Sequence, residues 1–425
     1  MSETDSATVR QVVGVGFGPA NLALAIAAGE VAGPDGRTLL DECVFLERQP
    51  SFGWHRGMLL DGATMQVSFL KDLATLRSPS SRYTFTSYLH DVGRLTDFIN
   101  SKTLYPYRTD FHTYLEWAAD RLPADVRYGT EVVSVTPERT DDVVRELLVR
   151  TGDGRTFRTR NLVIGTGMTP CFPDGVQRGP RVWHSAELLT RLAAPAPTRP
   201  RTFAVVGAGQ SAAEVVEHLH ATHPEADVHA IFGRFGYSMS DDSPFANQIF
   251  DPDSVDEFYH APGEVRDALM GYHANTNYSV VDLDLIRSLH GTAYREHIAG
   301  RRRLHFHHAS RITRQTVTGE GVHLDVEFLP TGTIRQIDAD AIVYATGYRP
   351  SDPRQLLGDL ADECKTDDRG RLALARDYRV ITSDGVRCGI YVHGAAAERT
   401  HGLSAGLLSN VAVRAGEILA AIRSL

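Results

Sequence analysis

Two copies of one local pattern predict that this chain of 425 residues adopts an α/β fold. In each copy, at 11–28 and at 202–220, a short hydrophobic run is followed by a glycine-rich turn and then by a helical pattern. Two further strand ends, Gly-Thr-Gly at 165–167 and Ala-Thr-Gly at 345–347, resemble each other and flank the second copy. Strand, glycine turn and helix form the unit of Rossmann-like domains, and its repetition indicates two dinucleotide-binding domains.

The first copy has the features of a dinucleotide-binding turn. A strand over 11–15 leads into a turn that contains Gly14, Gly16, Gly18 and Pro19, and a helix is expected over 20–28. Glycine permits positive φ and leaves the backbone open to a ligand, while the helix directs free N–H groups at a pyrophosphate. Pro19 stands where the fingerprint G-x-G-x-x-G has its third glycine, so a plain tight turn is the alternative.

An acidic residue at the end of the next strand supports the dinucleotide interpretation. The strand Cys43–Leu46 is followed by Glu47, which is placed to accept a hydrogen bond from a ribose hydroxyl. This acid comes later after the glycine turn than is usual. We interpret the residues between 29 and 41 as a loop insertion that explains the delay.

Composition excludes several classes of protein. The net charge of −9 argues against a protein that binds nucleic acid or an anionic membrane, since either would need a basic face. No apolar run approaches the length of a membrane span, and the chain starts with a polar segment rather than a signal peptide. The four cysteines form no CxxC pair, which predicts neither a disulfide framework nor a zinc site. We expect a cytoplasmic protein without a bound metal.

Two blocks after the first domain's second strand, at 54–58 and 65–73, mix polar groups with large apolar residues and lack clear periodicity. Such a mixture is typical of loops that line a buried site. Lys71 therefore becomes a candidate for burial against a ligand, although a surface lysine is the alternative. Trp54 and His55 are candidates too, and the alternative for them is a core aromatic beside a hydrogen-bonded imidazole.

The second copy follows a proline-rich linker at 193–201. A strand over 202–206 leads into Gly207, Gly209, Gln210 and Ser211, with Ala212 at the third fingerprint position, which is an accepted variant. The following strand, 227–232, ends at Gly233-Arg234 and not at an acid. A guanidinium at this place suits the 2′-phosphate of NADPH, whereas NAD requires a carboxylate. An exposed loop arginine is the alternative.

Two dinucleotide sites in one chain suggest a flavin site and a nicotinamide site that face each other. We assign 1–168 and 345–425 to an FAD-binding domain, and 169–240 and 285–344 to an NADPH-binding domain. The remaining segment, 241–284, is expected to form a small helical substrate-binding region with one helix over 255–272. An amphipathic helix is expected within 105–122, where one face carries Phe111, Tyr114, Leu115, Ala118 and Leu122.

Asparagines in the substrate-binding region suggest a clamp. Asn247 and Asn277 lie in turn-like contexts, where capping a helix or turn is the commoner role. Together with Lys71 they would suit the carboxylate and ammonium groups of an amino acid. Near the end of the chain, the glycine turn at 400–404 precedes a helix expected over 407–422, so it too can direct N–H groups at a cofactor.

With these motifs in hand, the chain resembles the flavin-dependent N-hydroxylating monooxygenases, which act on L-ornithine at N5 or on L-lysine at N6. The resemblance covers nearly the whole chain in the family's order, and it is carried by GVGFGPANL, WHRGM, MQVSFLKDLAT, GAGQSAAE, DDSPFANQIFDP, NTNYSVVD, ATGY and THGLS. MQVSFLKDLA together with NTNYSVVD is highly specific. The family usually has GPAN at the first turn, so Pro19 is no departure from its pattern.

The resemblance implies a role for each candidate residue. The expected FAD contacts are Gly14, Gly16, Gly18, Pro19, Glu47, Trp54, His55, Gln66, Gly402, Leu403 and Ser404. The expected NADPH contacts are Gly207, Gly209, Gln210, Ser211 and Arg234, although Arg234 is at a strand end that varies between members. Lys71, Asn247 and Asn277 would bind the substrate's α-carboxylate and α-amino groups, and Gln66, Lys71 and Asn277 would carry catalysis.

The implied reaction is NADPH-dependent hydroxylation of the side-chain amine of L-ornithine by O2, through a C4a-hydroperoxyflavin. The product, N5-hydroxy-L-ornithine, would serve siderophore or related biosynthesis, and a homotetramer is expected from the family. L-lysine, or a diamine such as putrescine or cadaverine, is the alternative substrate. A disulfide reductase would need a redox cysteine pair, and a Baeyer–Villiger oxygenase an FxGxxxHxxxW-type signature, neither of which is found. A non-catalytic flavin-binding protein is the remaining alternative.

Overall fold

The computed structural model describes residues 8–33, 36–195 and 200–425. The linker expected over 193–201 therefore lies partly outside the described residues. Within the described ranges, no helix is both long enough and apolar enough to cross a bilayer. In the same ranges, no group of three or more His, Cys, Asp or Glu side chains has the arrangement of a metal site.

The described part of the chain contains seventeen strands and thirteen α-helices, together with short 3-10 turns and loops. The strands are β1 Val9–Val15, β2 Cys43–Leu46, β3 Val126–Arg127, β4 Val132–Thr140, β5 Val143–Thr151, β6 Thr156–Ile164, β7 Met168–Pro170, β8 Val182–His184, β9 Thr202–Val206, β10 Asp227–Ile231, β11 Leu304–His307, β12 Ser310–Val317, β13 Val322–Phe328, β14 Thr333–Ala339, β15 Ala341–Tyr344, β16 Tyr348–Pro350 and β17 Gly389–Val392. The helices are α1 Pro19–Glu30, α2 Phe85–Asp91, α3 Leu95–Ser101, α4 Arg108–Arg121, α5 Leu188–Ala193, α6 Gln210–Thr222, α7 Ser254–His260, α8 Gly263–Tyr272, α9 Ala274–Asn277, α10 Leu283–Ile298, α11 Arg354–Leu357, α12 Glu398–His401 and α13 Val411–Ser424.

The first sheet has seven strands. Its parallel part has the order β3-β2-β1-β6, and β17 adds to the carboxyl-terminal half of β6. The amino-terminal half of β6 pairs with β5 in the antiparallel direction, and β5 pairs with β4 in the same way. Central strand β1 is buried over Val12–Val15, because strands flank it on both edges and helices cover it. This burial explains why the strand is apolar over these four residues, after Arg10 and Gln11. α1 packs along α13.

The second sheet has five parallel strands in the order β11-β10-β9-β15-β8. α6 and α10 cover one face of it, and the antiparallel sheet β12-β13-β14 covers the other. Residues of β10 and β15, including Ile231 and Ile342, pack against Val322, Leu324 and Val326 of β13. The predicted α/β architecture with two Rossmann-like sheets is confirmed.

The chain passes between the two sheets twice, and the two passages pair with each other. β7 follows Gly167, β16 follows Gly347, and β7 and β16 form a small antiparallel sheet. Gly167 and Gly347 have φ values of 70° and 82°, a conformation that favours glycine at both turns. The similarity of 165–167 to 345–347 thus corresponds to two equivalent crossovers.

The cores only partly follow the predicted domain division. One core unites residues before 165 with residues after 356, and a second core lies within the other sheet. However, Met58 and Leu60, which belong to the segment 1–168, are buried in the second core. The loop that carries the candidate substrate residues therefore contacts both cores, and the domain boundaries stay a prediction.

Two of the predicted helices need correction. α4 buries Phe111, Tyr114, Leu115 and Ala118, as its periodicity predicts. The helix expected over 255–272 is wrong as a single element, because α7 ends at His260 and α8 begins at Gly263. Pro262 causes the break, since the residue before a proline disfavours helical backbone. The last helix begins at Val411 and not at 407, because Leu407 has extended backbone after the 3-10 turn 403–406 and Asn410 is the N-cap residue.

Three histidines of the second sheet, His229 on β10 and His305 and His307 on β11, lie next to one another near the β12-β13-β14 sheet. His229 and His305 stack at 4.5 Å, and Nδ1 of His229 lies 2.9 Å from Nε2 of His307. Burial lowers the pKa of His229 and of His307 to about 4 each, and the cationic groups nearby act in the same direction. The titratable groups around this pair are Asp227, His305, His308 and Arg335.

Acidification below pH 6.5 is expected to destabilise this part of the protein. The unfolded chain takes up protons on these imidazoles near pH 6.5, whereas the folded protein does so only near pH 4. The free energy of unfolding is therefore expected to fall by about 2–4 kcal/mol between pH 7.5 and pH 5, because only the unfolded chain gains protons on these imidazoles in this range. Urea unfolding at both pH values measures the loss. His229→Gln should reduce it, while His90→Gln, at an exposed position, should not; equal losses in all three proteins would contradict this prediction.

Candidate active site

The first glycine turn is held by close backbone packing on one side and is open on the other. A Cβ built on Gly16, which has φ +84°, would lie 2.6 Å from the carbonyl oxygen of Gly165. A Cβ on Gly14 would lie 2.3 Å from the Phe45 ring. In the part of the chain that the structure describes, no atom lies within 4 Å of a Cβ built on Gly18. Only the last of these glycines therefore faces open space, as a turn that receives a ligand requires.

The helix that follows this turn has no protein cap. Gly18 is the N-cap residue of α1, Pro19 occupies the first helical position, and no side chain accepts from the first turn. The first-turn N–H groups of a helix lack intrahelical partners and attract anions. The geometry fits the pyrophosphate of FAD.

Glu47 lies beside this turn, where a strand-end carboxylate is expected. Its side chain is 6% exposed and accepts hydrogen bonds from the backbone N–H of Phe17 at 2.6 Å and of Gln49 at 2.8 Å. A carboxylate has about four acceptor positions, so two are left for ribose hydroxyls. Glu47 thus fixes the turn and retains the capacity to bind the sugar.

The second glycine turn repeats the geometry of the first. Gly207 has φ +143°, and a Cβ built on it would lie 2.4 Å from the carbonyl oxygen of Ala345. The Cβ built on Gly16 meets the carbonyl oxygen of Gly165 in the same way. Gly209 is the N-cap residue of α6, which also lacks a side-chain cap. The equivalence of the two turns fits a second dinucleotide.

The first two side chains of α6, Gln210 and Ser211, differ in how far the protein already engages their polar atoms. The Gln210 amide donates to Glu214 at 3.0 Å and accepts from the N–H of Asp282 at 2.8 Å. Both ends of the Gln210 side chain are therefore held by the protein, while its backbone N–H, in the first turn of α6, has no intrahelical partner. Ser211, one residue further along, is half-buried.

Arg234 lies at the end of β10 and reaches the second turn. Its guanidinium donates to the carbonyl oxygen of Ser279 at 2.9 Å and is otherwise exposed. Ser279 in turn approaches Gly209, whose built Cβ lies 3.3 Å from the Ser279 Cα. A cation with free N–H groups beside the glycine turn fits the 2′-phosphate of NADPH.

Trp54, His55 and Gln66 lie on the loops between the two cores. The rings of Trp54 and His55 meet edge to face at 4.6 Å, and His55 meets Tyr348 of β16 at 5.9 Å. His55 therefore lies beside the crossover strand β16. Gln66 is exposed, and the backbone of its neighbour Met65 donates to Pro106 at 2.8 Å.

Lys71 is a half-buried lysine that has no carboxylate partner among the described residues. Its ammonium lies 5.9 Å from the centre of the Phe250 ring. Phe250 is in the same 3-10 turn as Asn247, 246–250, so the substrate region packs directly over the lysine. A half-buried ammonium without an anion is a ready site for a ligand carboxylate.

Asn247 and Asn277 are each half-buried and partly engaged by the protein. Nδ2 of Asn247 donates to the carbonyl oxygen of Asp242 at 2.7 Å, which leaves Oδ1 as a free acceptor. The Asn277 side chain hydrogen-bonds Tyr278, whose hydroxyl donates to Glu398. The structural alternative for both asparagines therefore has support, and it is compatible with ligand binding by the remaining polar atoms.

The segment Gly402-Leu403-Ser404 connects the substrate region to the last helix. Gly402 has φ +82°, and its built Cβ would lie 3.3 Å from the Phe258 ring of α7. Leu403 and Ser404 are buried, and the carbonyl oxygen of Ser404 accepts from Arg414 at 3.2 Å. The turn 403–406 packs against 246–250, which brings this segment to the Lys71 region.

Comparison with known proteins assigns the family. Residues 8–350 match the model of the L-lysine 6-monooxygenase/L-ornithine 5-monooxygenase family. The chain belongs to this family. A solved structure of ornithine N-hydroxylase from Kutzneria sp. 744, with reduced FAD, NADP+ and L-ornithine, is 45% identical to this chain. Its TM-score is 0.93, and the match covers 98% of this chain and 99% of that one.

Two further members of the lysine/ornithine monooxygenase family are similar to the chain over most of its length. L-ornithine N(5)-monooxygenase from Burkholderia cepacia is 41% identical, over 93% of this chain and 90% of its own. L-lysine 6-monooxygenase from Pseudomonas syringae is 33% identical, with a TM-score of 0.85 and coverage of 98% and 99% of the two chains. The resemblance inferred from the motifs is thus confirmed at the level of the family.

Two structural features of this family member were not predicted from its sequence. Asp72 is 2% exposed and accepts from the backbone N–H groups of Ala74, Thr75 and Phe85 at 2.9, 2.6 and 2.7 Å, which fixes the loop beside Lys71. Burial raises the pKa of its carboxyl, although these hydrogen bonds act in the opposite direction.

The second missed feature is an ion pair that joins the loops to α6. Arg108 donates to both carboxylate oxygens of Glu214, at 2.8 and 2.7 Å, and to the carbonyl oxygen of Met58 at 3.0 Å. An acid within the apolar stretch 212–216 is the signal that could have indicated a buried partner. Its partner, 106 residues away, is not readable from the sequence.

Proposed function

We propose that this protein hydroxylates the side-chain amine of L-ornithine, with FAD and NADPH as cofactors, to give N5-hydroxy-L-ornithine. The observation that carries the proposal is the half-buried Lys71 ammonium, which has no carboxylate partner among the described residues, in a chain that also carries two uncapped dinucleotide turns. A nucleotide-dependent enzyme with a carboxylate site fits this arrangement. A disulfide reductase does not, because the free cysteines form no pair.

The overall reaction balances with one substrate, one reductant and O2. L-Ornithine, NADPH, H+ and O2 give N5-hydroxy-L-ornithine, NADP+ and water. FAD supplies the redox chemistry that accepts hydride and activates O2, which no side chain of the protein can do. The protein's own residues bind the two nucleotides, orient the amine and exclude water.

The substrate clamp follows from the polar atoms that the protein leaves free. The Lys71 ammonium binds the α-carboxylate, and Oδ1 of Asn247 accepts from the α-ammonium. Asn277 completes the site from the other side, next to Tyr278 and Glu398. Phe250 and the segment 402–404 cover the aliphatic part of the substrate.

Ornithine is favoured over lysine because of the relatives' chemistry. Two relatives named for ornithine share 45% and 41% identity with the chain, and the relative named for lysine shares 33%. One methylene changes binding by only about 1–3 kcal/mol, so geometry alone gives a weak preference. A diamine such as cadaverine lacks the carboxylate that Lys71 would bind.

A side-by-side assay tests the proposal. The FAD-loaded protein is mixed with NADPH and with ornithine, lysine, putrescine or cadaverine, and hydroxylamine product, NADPH and peroxide are measured. Product from ornithine above all other amines is the expected result. Product from a diamine would keep the reaction but contradict the carboxylate clamp. Peroxide without hydroxylamine from any amine would contradict the proposed function.

Hydroxylation is expected to become faster as the pH rises from 7 to 9. The attacking amine must be neutral, and an alkylamine with a pKa near that of lysine, about 10.4, is almost fully protonated at pH 7. The neutral fraction of such an amine rises about 100-fold between pH 7 and pH 9, so product formation at subsaturating ornithine should rise by up to about 100-fold over this range. Flavin reduction by NADPH in the absence of amine is the control. A hydroxylation rate independent of pH between 7 and 9 would count against a neutral amine nucleophile.

We further propose that the enzyme acts as a cytoplasmic homotetramer that supplies hydroxamate biosynthesis. Support comes from the family resemblance, from the need for NADPH and from four cysteines that are all free. Light scattering after size-exclusion chromatography tests the assembly state. A monomer at micromolar concentration would contradict it.

A further inference from the structure

We propose that Phe235 and His308 form the platform on which the adenine of NADPH stacks. Phe235 is 81% exposed, which is extreme for a phenylalanine, and its ring stacks on that of His308 at 5.8 Å with an interplanar angle of 29°. Both rings lie beside Arg234. This inference rests on the proposed function, since it assumes that NADPH binds the second glycine turn.

The backbone holds the two rings in place. Phe235 follows β10 and His308 follows β11, which are neighbouring parallel strands. Hydrogen bonds continue beyond the strand ends, from the N–H of Ala309 to the oxygen of Arg234 at 2.7 Å and from the N–H of Ser310 to the oxygen of Phe232 at 2.9 Å. Phe328 packs edge to face against His308 at 5.6 Å from the outer sheet. The platform is therefore fixed rather than a loose surface aromatic.

Covalent connectivity places the adenine near this platform. In a Rossmann-like domain, the residue at the end of the second strand contacts the 2′ position of the adenosine ribose. Arg234 occupies that place, and the adenine is attached to the same ribose. An exposed ring one residue further along the chain is thus adjacent to the base, and the end of the third strand, at His308, is on the same edge of the sheet.

The chemistry of the pair suits a purine. Stacking on an aromatic ring recognises the face of the base, while Arg234 recognises a phosphate, so the two residues read different parts of one nucleotide. Loss of one base–aromatic stack typically weakens binding about tenfold. Because the aromatic pair would contact the base and Arg234 the 2′-phosphate, substitutions at the two positions should have different effects. Removing Phe235 should weaken NADP+ and NAD+ by the same factor, whereas removing Arg234 should weaken NADP+ alone.

Calorimetric titration of the FAD-loaded protein with NADP+, NAD+ and adenosine 2′,5′-bisphosphate tests the proposal without turnover. Phe235→Ala is expected to weaken all three about tenfold, while Phe235→Trp keeps wild-type affinity. Tyr294→Ala, at an exposed aromatic of α10 in the same half of the molecule, is the matched control and should bind normally. Flavin reduction by reduced nicotinamide mononucleotide, which lacks adenine, should be equal in wild type and Phe235→Ala.

Three results would overturn the inference. They are unchanged affinities in Phe235→Ala, a loss limited to the ligands with a 2′-phosphate, or an equal loss in Tyr294→Ala. In each of these cases the wild-type protein still binds NADP+, so the proposed function stands. A wild-type protein that binds neither NADP+ nor adenosine 2′,5′-bisphosphate would instead overturn the proposed function and this inference with it.

Discussion

Replacing Lys71 with methionine is expected to raise the KM for ornithine at least about 30-fold and to divert reducing equivalents to peroxide. Methionine keeps most of the side-chain volume and the contact with Phe250 but removes the charge. Loss of one partner of a desolvated, hydrogen-bonded charge pair costs about 2–5 kcal/mol, which corresponds to a 30-fold to several thousand-fold change in affinity. Steady-state hydroxylamine formation against ornithine concentration measures the effect.

The controls separate a lost carboxylate contact from a damaged enzyme. The chain has three lysines among its 44 basic residues, at 71, 102 and 365, so Lys365→Met removes an equal charge at an exposed position and should leave the KM unchanged. Reduction of the flavin by NADPH without amine should be normal in Lys71→Met. A KM within threefold of wild type would contradict the clamp, and peroxide formation equal to that of wild type would show that ornithine still binds productively.

Local signals in the sequence account for most of what was predicted correctly. β9 has the predicted bounds, and Gly16 and Gly207 both have positive φ, because a hydrophobic run followed by glycines specifies strand and turn within a few residues. The helix break at Pro262 is equally local, since a proline disfavours helical backbone at the residue before it, and it was predictable from the sequence.

Features set by distant parts of the chain were not readable. Nothing near Met58 indicates that it is buried in the second core, since that depends on how the two sheets are placed. Lys71 could be proposed as a ligand-binding residue, but the absence of an ion-pair partner becomes visible only once the described chain is folded. The amides of Asn247 and Gln210 likewise reveal only in the structure which of their atoms the protein already uses.

Removing the Arg108 guanidinium is expected to have the largest effect on stability, because it leaves Glu214 buried and unpaired. The two side chains are 12% and 6% exposed, and the pair is bidentate. Removing one partner of a buried ion pair destabilises a protein by about 3–5 kcal/mol, whereas an exposed ion pair contributes about 1 kcal/mol or less to stability. Arg108→Met should therefore lower the urea midpoint far more than Arg311→Met, which breaks the exposed pair with Glu327 on the outer sheet.

The same substitution is expected to slow flavin reduction by NADPH, about 10- to 100-fold, since displacement of a reacting group by about 1 Å has an effect of that order. Arg108 ties the loop at Met58 to α6, whose first residue borders the second glycine turn. We therefore expect Arg108 to act as a positioning residue that fixes the proposed FAD site relative to the proposed NADPH site. The double variant Arg108→Met/Glu214→Leu removes the unpaired charge and should recover most of the stability.

Recovery of stability without recovery of the reduction rate in this double variant would show that the ion pair sets geometry rather than merely stability. Recovery of both would assign the slow reduction of the single variant to partial unfolding and would contradict the positioning role. An Arg108→Met protein with the stability of Arg311→Met would contradict the burial argument itself, since an unpaired Glu214 among the apolar residues 212–216 would then cost nothing.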